Sequence, residues 1–81
     1  MNVLAKIRKN LRIYRNTKLM TQEQFAAGMG VNRQLYGNVE VGKRQGSTAF
    51  WEALRIAYNV PVEDMYALQM IEEVGEDVEK D

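Results

Sequence analysis

The chain has 81 residues, enough for one domain, and its hydrophobic content of 46% is that of an ordinary globular protein. It contains no cysteine and no histidine, which excludes a disulfide framework, the common zinc ligand sets and the usual catalytic nucleophiles and bases. No apolar run reaches the roughly 18 residues of a membrane span, and the first residues do not form a signal peptide. We therefore expect a soluble intracellular protein that is not an enzyme and uses no metal or cofactor.

The net charge of zero conceals a strong asymmetry along the chain. Residues 1–44 carry nine lysines and arginines against two glutamates, a net charge of +7. Residues 45–81 carry two basic residues against nine acidic ones, a net charge of −7. Such a distribution suggests that the first part meets a polyanion, although an unevenly charged solvated surface would give the same count.

The first predicted helix spans about residues 3–17. Its apolar residues follow one another at steps of three and four, the spacing of a single helix face: Leu4, Ile7, Leu11 and Tyr14. The other faces carry basic side chains that are suited to contact phosphate: Lys6, Arg8, Lys9, Arg12 and Arg15.

Two short helices follow, each with its own start and stop signals. Thr21 and Gln24 form a capping-box pattern that starts helix 2 at about 22–29, and Gly30 ends it. Asn32 is a favourable N-cap for helix 3 at about 33–41. Two short helices joined by a glycine turn are typical of a helix-turn-helix, although any pair of adjacent helices can give this pattern.

Ser47 caps a predicted helix 4 at about 48–58, and helix 5 is predicted at about 62–72 after the turn at Pro61. The acidic residues that follow are too poor in apolar side chains to pack another helix, so we expect a frayed tail. The predicted domain is 1–68, and 69–81 is an acidic extension that is partly disordered or contacts a second subunit.

The outer face of helix 3 carries Arg33, Gln34 and Asn38. Arginine makes bidentate contacts with guanine, and glutamine and asparagine make them with adenine. A helix that presents such residues near its N-terminus is able to enter a DNA major groove. A solvated polar face would have a similar composition, so this observation alone leaves both interpretations open.

Three blocks of the sequence resemble the Cro/cI repressor-type helix-turn-helix family, also called the xenobiotic-response-element type. They are Thr21-Gln22-Glu23-Gln24-Phe25-Ala26, Gly30-Val31-Asn32-Arg33 and Val39-Glu40-Val41-Gly42-Lys43-Arg44. The blocks agree with the family pattern in order and spacing, and the resemblance covers about residues 7–68. It implies an all-α, five-helix compact bundle of the lambda-repressor-like type, in which helices 2 and 3 form the helix-turn-helix.

The resemblance also implies roles for individual residues. Arg33, Gln34 and Asn38 fall on the base-contacting positions of the family, and Arg15 and Glu40 match a structural ion pair. The positions that contact the DNA backbone are Gln22, Asn32, Lys43 and Arg44. Family members commonly dimerise through the last helix, where apolar contacts would come from Met65, Tyr66 and Met70.

Three positions depart from the family pattern. Leu19 stands where a helix-ending glycine is usual, so the first turn is expected to be looser or longer. Leu35 replaces a small serine or threonine, and it either packs inward or touches a thymine methyl group. Gly37 lies inside the recognition helix, where it costs about 1 kcal/mol relative to alanine; it either permits a close approach to DNA or contacts nothing.

The resemblance thus implies a sequence-specific transcriptional regulator of bacterial or phage origin, acting in the cytoplasm. A repressor that binds double-stranded DNA as a homodimer on a palindromic operator is the favoured interpretation. The alternative is a protein-interaction module, such as an antirepressor or an antitoxin with secondary DNA binding, whose acidic half would contact the partner.

Overall fold

The computed structural model describes residues 2–74, which form five helices and a two-stranded antiparallel sheet. The predicted five-helix architecture is confirmed, and the small sheet is an addition to it. Residues 75–81, which include most of the tail predicted to be frayed, lie outside the described part. The elements in chain order are β1 (Asn2–Ile7), α1 (Lys9–Thr17), α2 (Gln22–Met29), α3 (Arg33–Glu40), α4 (Thr48–Tyr58), α5 (Val62–Tyr66) and β2 (Gln69–Val74).

The N-termini of α2, α3 and α4 are set by the side chains that immediately precede them. Thr21 accepts a hydrogen bond from the Gln24 amide at 3.1 Å, and Gln24 accepts one from the Thr21 amide at 3.0 Å, which completes the capping box. Asn32 and Ser47 cap α3 and α4 in the same way. The predicted extents of α2 and α4 are therefore confirmed, and α3 is one residue shorter than predicted.

The two ends of the chain differ from the prediction. Residues 3–7 were expected to begin helix 1 and residues 67–72 to end helix 5, and both expectations are wrong. β1 and β2 pair with each other from Asn2↔Val74 to Ile7↔Gln69, and we call this pair the terminal ribbon. The apolar spacing of each segment fits a helix. Its strand partner lies more than sixty residues away in the sequence, so local periodicity cannot reveal the pairing.

Arg8 separates the ribbon from the helices at both ends. Its amide donates to the Glu40 carbonyl at 2.8 Å. Residue 8 is therefore not helical, and α1 begins at Lys9. Its guanidinium Nε donates to the Tyr66 carbonyl at 3.0 Å. α5 ends there, since Ala67 is already extended.

The hydrophobic core lies where all five helices meet. Leu11, Phe25, Tyr36, Val39 and Leu54 have no exposed surface, and the burial of such side chains stabilises a domain this small. Phe25 stacks on Tyr58 with ring centroids 4.2 Å apart, which joins α2 to α4. Within residues 2–74 no helix is long and apolar enough to cross a membrane.

Candidate nucleic-acid interface

The third helix has an inner and an outer face. Tyr36 and Val39 are completely buried against the core, whereas Arg33 and Gln34 are exposed and Asn38 is half-exposed. The turn between α2 and α3 is short because Gly30 adopts a left-handed φ of 78°. α3 therefore lies on the surface with the three predicted base-contacting side chains directed away from the core.

A shallow concavity of about 390 Å³ lies along this outer face. It brings together two predicted base-contacting residues, two predicted backbone-contacting residues and one apolar residue; these are Gln34, Asn38, Asn32, Arg44 and Leu35. Arg33 lies on the same helix but does not line the concavity.

The loop that follows α3 carries Lys43 and Arg44, both exposed. Its backbone is tied to the recognition helix, because the amides of Lys43 and Arg44 donate to the Asn38 carbonyl at 2.8 and 3.1 Å. The Arg44 carbonyl accepts in turn from Nη1 of Arg8 at 3.0 Å. The loop that carries these two cationic side chains is thus bonded to α3 through Asn38 and to the residue before α1 through Arg8.

The side chain of Gln22 lies inside the domain. It is 8% exposed, and its Nε2 donates to Oε2 of Glu40 at 3.5 Å. A phosphate contact from Gln22 would require the side chain to leave this position. Its carboxamide also lies close to Gly37, because a Cβ atom at position 37 would lie 3.1 Å from Oε1 of Gln22.

Arg15 and Glu40 lie in direct contact at the centre of the domain. Nε of Arg15 is 3.0 Å from Oε1 of Glu40, and Arg12 approaches Oε2 at 3.3 Å. Nη1 of Arg15 also donates to the Met20 carbonyl at 2.8 Å. This cluster joins α1, the turn before α2 and the end of α3. Burial and the neighbouring Glu40 carboxylate raise the pKa of the Tyr36 hydroxyl well above its ordinary value.

Arg8 is a second buried arginine, and the sequence did not distinguish it from its basic neighbours. It is 1% exposed and donates to the carbonyls of Val39 at 2.7 Å, Arg44 and Tyr66. Its guanidinium also faces the rings of Trp51 at 5.5 Å and Tyr66 at 4.9 Å. Burial lowers the pKa of this guanidinium from its usual value, with Tyr66 acting in the opposite direction.

The expected basic face of helix 1 is therefore smaller than predicted. Arg8 and Arg15 are buried and Arg12 contacts Glu40, so they turn inward rather than toward a phosphate backbone. Lys6 and Lys9 remain exposed. The charge count along the sequence overstates the positive surface because it cannot tell a solvated arginine from a buried one.

Of the three residues predicted to contact a second subunit, Met65 lies in the core and not on the surface. It is 9% exposed and belongs to the hydrophobic core, since α5 packs this face against the other helices. Tyr66 and Met70 are 41% and 58% exposed, and Leu68 between them is 46% exposed. Three exposed apolar side chains thus lie between the end of α5 and the start of β2, and Met65 is not among them.

The fold and this surface together define a DNA-binding domain of the helix-turn-helix class. Residues 11–65, about two thirds of the chain, match the helix-turn-helix family model. The chain belongs to this family of Cro/cI-type domains and is a DNA-binding transcription regulator, as its sequence motifs indicated. No curated protein and no solved structure matches it. In the described residues no group of acidic side chains is arranged to hold a metal ion.

Proposed function

We propose that the protein is a sequence-specific transcriptional repressor that binds double-stranded DNA in the cytoplasm as a homodimer. The observation that carries this proposal is the exposed polar face of α3, with Gln34 and Asn38 lining one concavity next to Arg44. A helix that presents such side chains fits the width of the DNA major groove, which is about 12 Å.

The side chains divide into two chemical classes. The carboxamides of Gln34 and Asn38 suit adenine edges and Arg33 suits guanine, so these residues distinguish base pairs. Lys43, Arg44 and the cap residue Asn32 suit phosphate oxygens, which position the protein without specifying sequence. We assign Gln22 a phosphate contact only through its backbone amide at the start of α2, since its side chain points inward.

A homodimer would place two copies of α3 in successive major grooves, about 34 Å apart, on a palindromic operator. The exposed apolar side chains of Tyr66, Leu68 and Met70 support self-association, because a second copy that covers them would remove apolar surface from water. Binding over a promoter would repress by occlusion.

The test is selection of bound sequences from random duplexes, combined with the mass of the complex in solution. We expect a palindromic consensus and two protein chains per duplex. Arg33→Ala should cost about 1–3 kcal/mol and relax one base position in each half-site, whereas Lys43→Ala should weaken all sequences alike and reduce the salt slope by about one. Ile56→Ala, at a 70% exposed position of α4 that does not line the concavity, is the control and should leave both readouts unchanged. Equal affinity for all sequences would contradict the proposal.

A second candidate function is binding of a basic protein partner, as in an antitoxin. It is favoured by a groove of about 530 Å³ between α4 and α5, whose apolar side chains are Trp51, Val62 and Tyr66. Its charged residues are Glu52, Arg55 and Glu63; because Arg55 pairs with Glu52, Glu63 carries the net negative charge of the groove. Val62→Asp should abolish partner binding and leave DNA selection intact if this groove is the contact. If the complex of the same variant instead has the mass of one protein chain per duplex, the groove is the dimer interface.

A further inference from the structure

Leu35 occupies a position between the core and the recognition surface. It is half-buried, packs against the hydrophobic core, and also lines the concavity formed by the polar residues Asn32, Gln34, Asn38 and Arg44. Of the five residues that line this concavity in the described chain, Leu35 is the apolar one. The face of α3 directed toward a ligand is therefore polar with a single apolar patch.

The backbone and the side chain of Leu35 are both held in place. It lies in the first turn of α3, and its amide donates to Oδ1 of the Asn32 cap at 2.7 Å. The packing of its inner atoms on the core restricts its rotamers. An apolar side chain held in this way exposes a fixed surface to whatever enters the concavity, which is a requirement for discrimination between ligands.

The edges of the four base pairs differ in their apolar content. In the major groove the C5-methyl group of thymine is the apolar group that a protein encounters, and it lies on the same edge as the adenine N6 and N7 of its pair. A protein can therefore bind adenine on one strand through a carboxamide and contact a thymine methyl group on the other strand through an apolar atom at a neighbouring position. Gln34 or Asn38, together with Leu35, has this combination of chemistry.

We propose that Leu35 is a specificity-determining residue that contacts the methyl group of a thymine. The proposal rests on the proposed sequence-specific DNA binding and adds to it one base-contacting position with an apolar ligand. It also accounts for a leucine that is partly exposed, where a smaller polar residue would leave no apolar surface in water.

The experiment uses the full chain and the operator obtained by selection. Each thymine is replaced singly by deoxyuridine, which removes only the methyl group. We expect one thymine in each half-site whose replacement weakens binding about fourfold, the effect of burying one carbon group. In Leu35→Ala this loss should vanish, and in Leu35→Met, which keeps an apolar side chain of similar volume, it should persist. Ile56→Ala, 70% exposed on α4, is the control and should retain the fourfold ratio.

The ratio of affinities for the two duplexes is measured on one protein sample, so a partly unfolded variant does not alter it. The proposal is overturned if the operator contains no thymine, if no replacement changes affinity, or if Leu35→Ala keeps the full thymine preference. Failure to select any consensus would instead refute the proposed function. If Leu35→Ala does not fold, Leu35→Val replaces it; valine keeps the contact with the core but is one carbon shorter, and it should reduce the thymine preference.

Discussion

The domain contains two arginines that are equally buried but are stabilised by different surroundings. Arg15, at the centre of the helix-turn-helix, faces the carboxylate of Glu40 at 3.0 Å. Arg8, at the junction with the terminal ribbon, bonds backbone carbonyls and lies against two aromatic rings. The first charge is compensated by an opposite charge, and the second by dipoles and ring quadrupoles.

Each arginine nevertheless holds a turn that contains a left-handed residue. Arg15 donates to Met20 next to Leu19, whose φ is 57°. Arg8 donates to Arg44, two residues after Gly42, whose φ is 89°. The comparison teaches that this small domain fixes its irregular segments through buried guanidinium groups, and that only one of these requires a partner of opposite charge.

The largest effect is expected from Arg15→Met. The substitution keeps an unbranched apolar stem but removes from the buried Glu40 its closest cation, and breaking a buried pair costs about 3–5 kcal/mol. Urea denaturation measures the free energy of unfolding. Lys9→Met, at an exposed position of the same helix, should change it by less than about 0.5 kcal/mol. A loss below about 1 kcal/mol for Arg15→Met would show that Glu40 is compensated otherwise.

Arg8→Met should cost less, about 2 kcal/mol, because the groups left behind are neutral. The Val39 carbonyl also keeps its bond from the Gly42 amide at 3.2 Å, so it is not left without a donor. The same denaturation experiment compares the two arginine variants directly. If Arg8→Met proved the more destabilising, carbonyl dipoles rather than charge pairing would dominate the stability of this core.

Gly42→Ala tests the ribbon side of the comparison. The new Cβ atom would lie 2.7 Å from the Lys6 carbonyl oxygen, a backbone atom of β1, and alanine also resists a left-handed φ. We expect a loss of about 2 kcal/mol. Gly30→Ala is the matched control, since Gly30 is also left-handed but a Cβ there meets nothing within 4 Å, so it should lose about 1 kcal/mol. Equal losses would indicate that β1 moves aside freely.

Leu19→Gly is expected to have the smallest effect and the opposite sign. Leu19 is 91% exposed, so glycine removes little burial while it relieves the left-handed strain, and the gain is about 0.5 kcal/mol. Asn59→Gly, at φ 54°, should gain less because asparagine tolerates this conformation. The difference in melting temperature between the two variants measures the strain specific to leucine.

The helix-turn-helix was predictable because its determinants are local. The side chains of Thr21, Asn32 and Ser47 each accept a hydrogen bond from the amide three residues later, so short segments of sequence determine where these helices begin. The outward position of Arg33, Gln34 and Asn38 follows from helical periodicity and was predicted on that basis.

The ribbon and the role of Arg8 were not predictable in this way. The contact of Arg8 with Tyr66 spans 58 residues, and the register of β1 with β2 joins the ends of the described chain. The burial of Arg8 depends on this long-range contact, whereas the pairing of Arg15 with Glu40 was already implied by the family resemblance. Local periodicity reports an amphipathic face but does not identify what covers it.

The close approach of Gly37 to Gln22 bears on how this domain could be reprogrammed for new DNA targets. Arg33 and Gln34 are exposed, so a combinatorial library at these two positions explores new base preferences at little cost to folding. Position 37 is different, because a Cβ atom there would lie 3.1 Å from Oε1 of Gln22, so the carboxamide that is bonded to Glu40 would have to shift by a few tenths of an ångström. A successful library would therefore keep glycine at 37 and obtain its diversity from the neighbouring positions.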